Sequence, residues 1–143
     1  MTARFTAVVL AAGRGGVDPV AAAAGRSHKC LVDIHGRTML ARVLEALAAS
    51  ASVGAVAISI DDPAVLRESA EIAALIERHE ITLIDAAATP SRSVGQAVDA
   101  LARPWPVLVA TADSPLLSPA MVDHFCGHAL TSDADIEIGR AHV

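Results

Sequence analysis

Aromatic side chains are nearly absent from this 143-residue chain: Phe5, Trp105 and Phe125 make up 2% of it, and there is no tyrosine. So few rings provide no platform on which successive single-stranded bases can stack. Basic runs are missing as well. Eleven Lys+Arg stand against 16 Asp+Glu for a net charge of -5, which lacks the electrostatic footprint of a general nucleic-acid binder. Cysteine is scarce, and Cys30 and Cys126 have no CxxC spacing; this argues against a disulfide framework and a structural zinc site and fits a reducing compartment. No apolar run approaches the roughly 18 residues of a membrane span. Residues 1–12 turn apolar only at Phe5 and meet Gly13 too early for the two regions of a signal peptide. We therefore expect a cytoplasmic protein that engages neither nucleic acid nor membrane.

What is present is aliphatic. Hydrophobic residues make up 53% of the chain, and a chain of this length buries about 68–70% of its unfolded surface, enough for one domain with its own core. Residues 5–12 (FTAVVLAA) form a continuous apolar run ended by glycines, the pattern of a central strand buried on both faces. Residues 13–29 read as a long loop with one helical turn at the alanines. Thr38 caps a helix carrying Leu40, Val43, Leu44 and Leu47 at i, i+3, i+4, i+7. Strands are expected at 55–60, 81–85 and 107–111, with a shortened one at 134–138. Between them lie a helix from Asp62-Pro63 to about His79, one carrying Val94, Ala97, Val98 and Leu101, and one from Ser118-Pro119 with Met121, Val122, Phe125 and Ala129 on its buried face. Gly127 is expected to interrupt that last helix. Short strands alternating with amphipathic helices predict an α/β domain on a mostly parallel sheet.

Ligands of such sheets bind beyond the carboxyl ends of the strands. The first and fourth strands end in Gly13-Arg14-Gly15-Gly16 and Ala112-Asp113-Ser114-Pro115, and the site is expected there. Glycines after a buried strand let backbone N–H groups approach phosphate oxygens. The loop is neither a dinucleotide fingerprint, since Asp18 stands where the third glycine belongs, nor a GxxxxGK[ST] loop. It ends instead in Lys29. A strand-end carboxylate such as Asp113 can bind Mg²⁺ while the metal keeps sites for waters and phosphates. His124 and His128 share a helix face at i, i+4 but have no evident third ligand, so solvated helix-end histidines are expected.

The blocks LAAGRG at 10–15, KCLVDIHGRTML at 29–40, SVGQA at 93–97 and ADSPLL at 112–117 together resemble the MobA-like nucleotidyltransferases. The resemblance implies a Rossmann-like three-layer α/β/α nucleotide-diphospho-sugar transferase fold. It also implies transfer of a nucleoside monophosphate from an NTP to a phosphorylated small-molecule acceptor, with pyrophosphate released and Mg²⁺ as cofactor. By motif, Leu10, Ala11, Ala12 and Gly13 would line the nucleotide through their backbone, and Arg14 and Gly15 would lie along the triphosphate. Lys29 would place a mobile charge on the phosphates, Asp113 would hold the metal, and Ser93 would help hold the nucleotide. GTP is one donor such a family suggests, and the residues leave base and acceptor open. Two positions depart from the family pattern. Val17 stands where an arginine is usual, leaving Arg14 or Arg26 to supply that charge, and Ala112 replaces the glycine before the metal aspartate.

Family members extend beyond this length. Residues 137–143 (EIGRAHV) read as one frame of a common short-read sequencing adapter. The expected organisation is therefore the N-terminal part of the transferase domain over 1–136 and a non-native read-through tail over 137–143. A chain ending there is expected to have an unpaired sheet edge, weak nucleotide binding and little turnover. Two alternatives remain: a catalytically inactive regulatory module of the same fold, and a flavodoxin-like or receiver-type domain.

Overall fold

The computed structural model describes residues 4–13, 15–102 and 104–139. The first apolar run forms β1 (Phe5–Leu10), whose side chains alternate between faces: Ala7 and Val9 join one core cluster, Val8 and Leu10 the other. After a five-residue helix α1 (Pro19–Ala23) and a 3₁₀ turn (Lys29–Leu31), a small hairpin pairs β2 (Asp33–Ile34) with β3 (Arg37–Thr38). Its turn residues His35 and Gly36 both have positive φ, 50° and 83°, as a tight hairpin turn of this hand requires. Helix α2 (Met39–Ala49) then starts on its expected cap, with Thr38 Oγ1 accepting from Ala41 N at 3.1 Å.

The remaining elements are β4 (Val53–Ile60), α3 (Ala64–Arg67), α4 (Ala70–Arg78), β5 (Thr82–Asp85), α5 (Pro90–Ala100), β6 (Val107–Thr111) and α6 (Pro119–Thr131). The main sheet has the order β5-β4-β1-β6 with every pair parallel. Side chains of α2, α3, α4 and α6, among them Leu44, Leu66, Ile72 and Cys126, pack with Ala7, Val9, Ile58 and Ile60 on one face. On the other face α5 presents Ala97 to Val8, Ala57 and Ile84. Helices on both sides of a parallel sheet make the expected three-layer α/β/α arrangement, with β1 interior as anticipated.

Four expectations need correction. The helix from Asp62 to His79 is two helices: Ser69 takes extended backbone between α3 and α4, and its Oγ accepts from Ile72 N at 3.3 Å, a cap that starts a new helix instead of prolonging the old one. Gly127 does not interrupt α6, which runs through it to Thr131. Met121 is not on the buried face of α6; it is 48% exposed, while Val122 and Cys126 carry the packing. No strand forms over 134–138. There the Ser132 hydroxyl donates to Glu137, and Gly139 lies so close to Phe125 that an added Cβ would come within 2.9 Å of the ring. Within the expected tail, 140–143 lie outside the described residues. Among the described residues, no helix is long and apolar enough to cross a membrane.

Candidate active site

Both connections from β1 matter for where a ligand can sit. The chain leaves β1 for β4 on one side and returns with β6 on the other, so the switch of direction, where ligands of such sheets bind, falls at the carboxyl ends of β1 and β6. Backbone bonds fix those ends: Ala11 N donates to Ser59 O at 2.9 Å, and Ala112 N donates to Leu10 O at 3.0 Å. Ala11 is buried, Leu10 and Ala12 are half-buried, and Gly13 is exposed. Gly15 and Gly16 follow at φ +67° and +98°, left-handed backbone that only glycine adopts without strain. Arg14, expected along the triphosphate, lies outside the described residues.

The loop then folds back towards the same strand ends. Asp18 Oδ1 accepts from Val20 N and Ala21 N, starting α1. Cys30 is buried beneath the end of β1, its Sγ 3.8 Å from Ala11 O. Burial pushes the Cys30 thiol up to about 12, so it stays protonated and serves as packing beneath Lys29. From there Lys29 Nζ donates to Asp113 Oδ2 at 2.9 Å, joining residues 84 positions apart, with the two side chains 40% and 41% exposed. The Lys29 hydrogen bond, with help from the Thr111 hydroxyl, holds the Asp113 carboxyl below its usual range against the pull of burial.

An ion pair this exposed is worth about 0.2–1 kcal/mol, so a polyanion and a cation can part its ends at little cost. Its contribution to stability has a definite sign. Because the folded pKa of Asp113 is lowered, the stabilisation is fully present above the unfolded carboxylate value of about 3.9 and disappears as pH falls through the lowered folded value. Denaturant melts should therefore show wild type more stable than Asp113→Asn at neutral pH, with the gap closing below about pH 4. A gap that does not change with pH would contradict this.

A second pair stands at the end of β4. His28 Nε2 and Asp61 Oδ1 are 2.8 Å apart, His28 Nδ1 lies 3.0 Å from Ser27 Oγ, and Gly13 N donates to the same Asp61 oxygen at 3.4 Å. Burial pulls the Asp61 carboxyl up, but the hydrogen bond and charge of buried His28, together with backbone N–H bonds including that of Gly13, outweigh it and leave the group below its usual range. Sequence reasoning passed over both residues. The available signal was that Asp61 ends an apolar strand just as Asp113 nearly does, but Asp62 beside it drew attention as a helix cap.

Ser93 is on α5 and only 4% exposed. Its Oγ accepts from Ala87 N at 2.9 Å, and Gln96 Nε2 donates to Asp85 O at 2.8 Å, so these side chains shape the loop after β5. Arg26 shares a hollow of about 280 Å³ with Asp33, Glu68 and Glu71, and Val17 is 83% exposed. Among the described residues no cluster of three or more His, Cys, Asp or Glu side chains forms a metal cage, which leaves His124 and His128 without a third ligand. Asp113 presents a single ionised, half-exposed carboxylate. That donor suits Mg²⁺ when the metal draws its other ligands from water and phosphate.

Residues 7–142 match the MobA-like NTP transferase domain. No curated protein matches the sequence. Among solved structures, the chain is similar to a CMP:2-keto-3-deoxy-manno-octonic acid synthetase complexed with CTP (18% identity, TM-score 0.68, covering 92% of this chain and 49% of that one). It is also similar to a hypothetical transferase from Thermus thermophilus (28% identity, TM-score 0.63, covering 88% and 47%). A third similar structure is the 4-diphosphocytidyl-2C-methyl-D-erythritol synthase from Anaerococcus prevotii (17% identity, TM-score 0.67, covering 95% and 59%). The chain thus spans about half the length of these structures.

Proposed function

Because this chain belongs to the MobA-like NTP transferase family, we propose that the protein moves a nucleoside monophosphate from an NTP to a phosphorylated small-molecule acceptor, releasing pyrophosphate with Mg²⁺ as cofactor. The observation that carries this reading is the meeting of Lys29 and Asp113 over the ends of β1 and β6. A cation and a carboxylate facing one cleft suit a ligand that is itself a polyanion with a bound divalent ion.

In this reading the backbone of Leu10, Ala11, Ala12 and Gly13 lines the nucleotide, and the turn at Gly15 gives the triphosphate room to lie against the chain. Lys29 leaves Asp113 and moves to the phosphates, where its charge offsets what builds up on the departing pyrophosphate. Asp113, released from the lysine, would hold the metal. Mg²⁺ held there would supply neutralisation of the phosphate charge. An acceptor phosphate oxygen attacks the α-phosphorus in line with the leaving oxygen, a reaction that depends on positioning and electrostatics and needs no protein nucleophile. Ser93 supports the nucleotide indirectly by holding the loop at Ala87.

Exposed Val17 favours one second reading, a nucleotide-binding module without turnover, because the usual arginine is missing from the phosphate loop. The test is pyrophosphate release from each of the four NTPs, GTP included, by the protein expressed from its native gene with Mg²⁺ and candidate phosphorylated acceptors. Metal-dependent release with one donor supports transfer. Binding without release supports the second reading, and no binding of any NTP removes both.

A further inference from the structure

We propose that His28 and Asp61 form a clasp that positions Lys29 and the backbone around Gly13 against the bound phosphates. This inference rests on the nucleotidyl-transfer reading above.

The phosphate loop runs on from β1 through Gly13 and returns to the strand ends at the turn that Lys29 begins, and among its described residues the helix before that turn is the five-residue α1. Something must set the distance between its two ends. Asp61 reaches both: one carboxylate oxygen accepts from Gly13 N on the departing arm at 3.4 Å and meets His28 Nε2 on the returning arm at 2.8 Å. The carboxylate directly follows Ile60, a fully buried residue in the strand paired with β1, so it is anchored to the sheet and not to the loop. His28 is held at both ring nitrogens, by Ser27 and Asp61, and is 8% exposed. A ring fixed this way fixes the backbone from which Lys29 departs. The lysine stem is long and flexible, so the region its ammonium samples is set by where it is rooted. His28 and Asp61 are thus positioning residues acting through Lys29 and Gly13.

The test is a double-mutant cycle on Mg²⁺·pyrophosphate binding, measured by calorimetry on the 143-residue chain. His28→Ala should weaken binding by about 5- to 20-fold when Lys29 is present and by less than about 2-fold in the Lys29→Ala background, because coupled residues are non-additive. His28→Gln, whose amide can still donate to Asp61, should recover most of the loss. A second arm uses no ligand: hydrogen exchange of the peptide spanning 13–29 should speed up in His28→Ala and Asp61→Ala and stay near wild type in His28→Gln. Equal losses in both lysine backgrounds would overturn the clasp and leave the functional reading standing. Pyrophosphate binding indifferent to Lys29 would overturn the functional reading; unchanged exchange in both alanine variants would overturn the clasp whatever the ligand does.

Discussion

Replacing Lys29 with alanine is expected to weaken Mg²⁺·NTP binding by about 10- to 100-fold, since a hydrogen bond to a charged group contributes about 1.5–3 kcal/mol. The lost contact is the one between the ammonium and phosphate oxygens, so the deficit should grow with the charge of the ligand, least for the nucleoside monophosphate and greatest for the triphosphate. Calorimetry across the mono-, di- and triphosphate series reads this directly. Fold stability should change little through the Asp113 contact, because that carboxylate is half-exposed. A uniform loss across the series, tracking a lower melting temperature, would show that Lys29 serves packing and not phosphate binding.

Asp113→Ala should produce effects of opposite sign with and without metal. In the free protein Asp113 both occupies Lys29 and adds a negative charge to the cleft. Removing it takes away this negative charge and its hold on the ammonium, so metal-free pyrophosphate should bind several-fold more tightly. With Mg²⁺ present the variant loses the carboxylate that suits the ion, and metal-dependent pyrophosphate release by the native-gene protein should fall by about 10²- to 10³-fold, the scale set by removing one preorganised electrostatic group. Paired titrations of wild type and variant, with Mg²⁺ and with chelator, measure the crossover. A variant weaker under both conditions would mean that the carboxylate holds the loop together and does not exchange a lysine for a metal.

Much of this arrangement is legible in the sequence because it is written in local patterns. The unbroken apolar run ahead of Gly13 is a buried parallel strand, and the caps Thr38 and Ser118 each accept a bond from a helix amide as their residue types require. Lys29 and Asp113 were legible through their motif positions, and the fold brings them to 2.9 Å. What escaped depends on tertiary partners. Ser69 is an ordinary polar residue within an apolar helical periodicity until its hydroxyl finds the Ile72 amide. Residues 134–138 alternate like a strand, yet a strand exists only where a neighbour accepts its backbone bonds, and here the segment turns back on Phe125 instead. His28 and Asp61 are 33 positions apart, with no local spacing to announce them; only the pairing of β4 with β1 brings the aspartate beside the glycine loop that follows β1.

The most direct measurement is a crystal structure of this chain with Mg²⁺ and a non-hydrolysable NTP. The account predicts that Lys29 Nζ has left Asp113 for a phosphate oxygen, that Asp113 faces the metal, and that the triphosphate lies over the ends of β1 and β6 along Leu10 to Gly15. Nucleotide bound elsewhere, with the Lys29–Asp113 contact still closed at 2.9 Å, would contradict it.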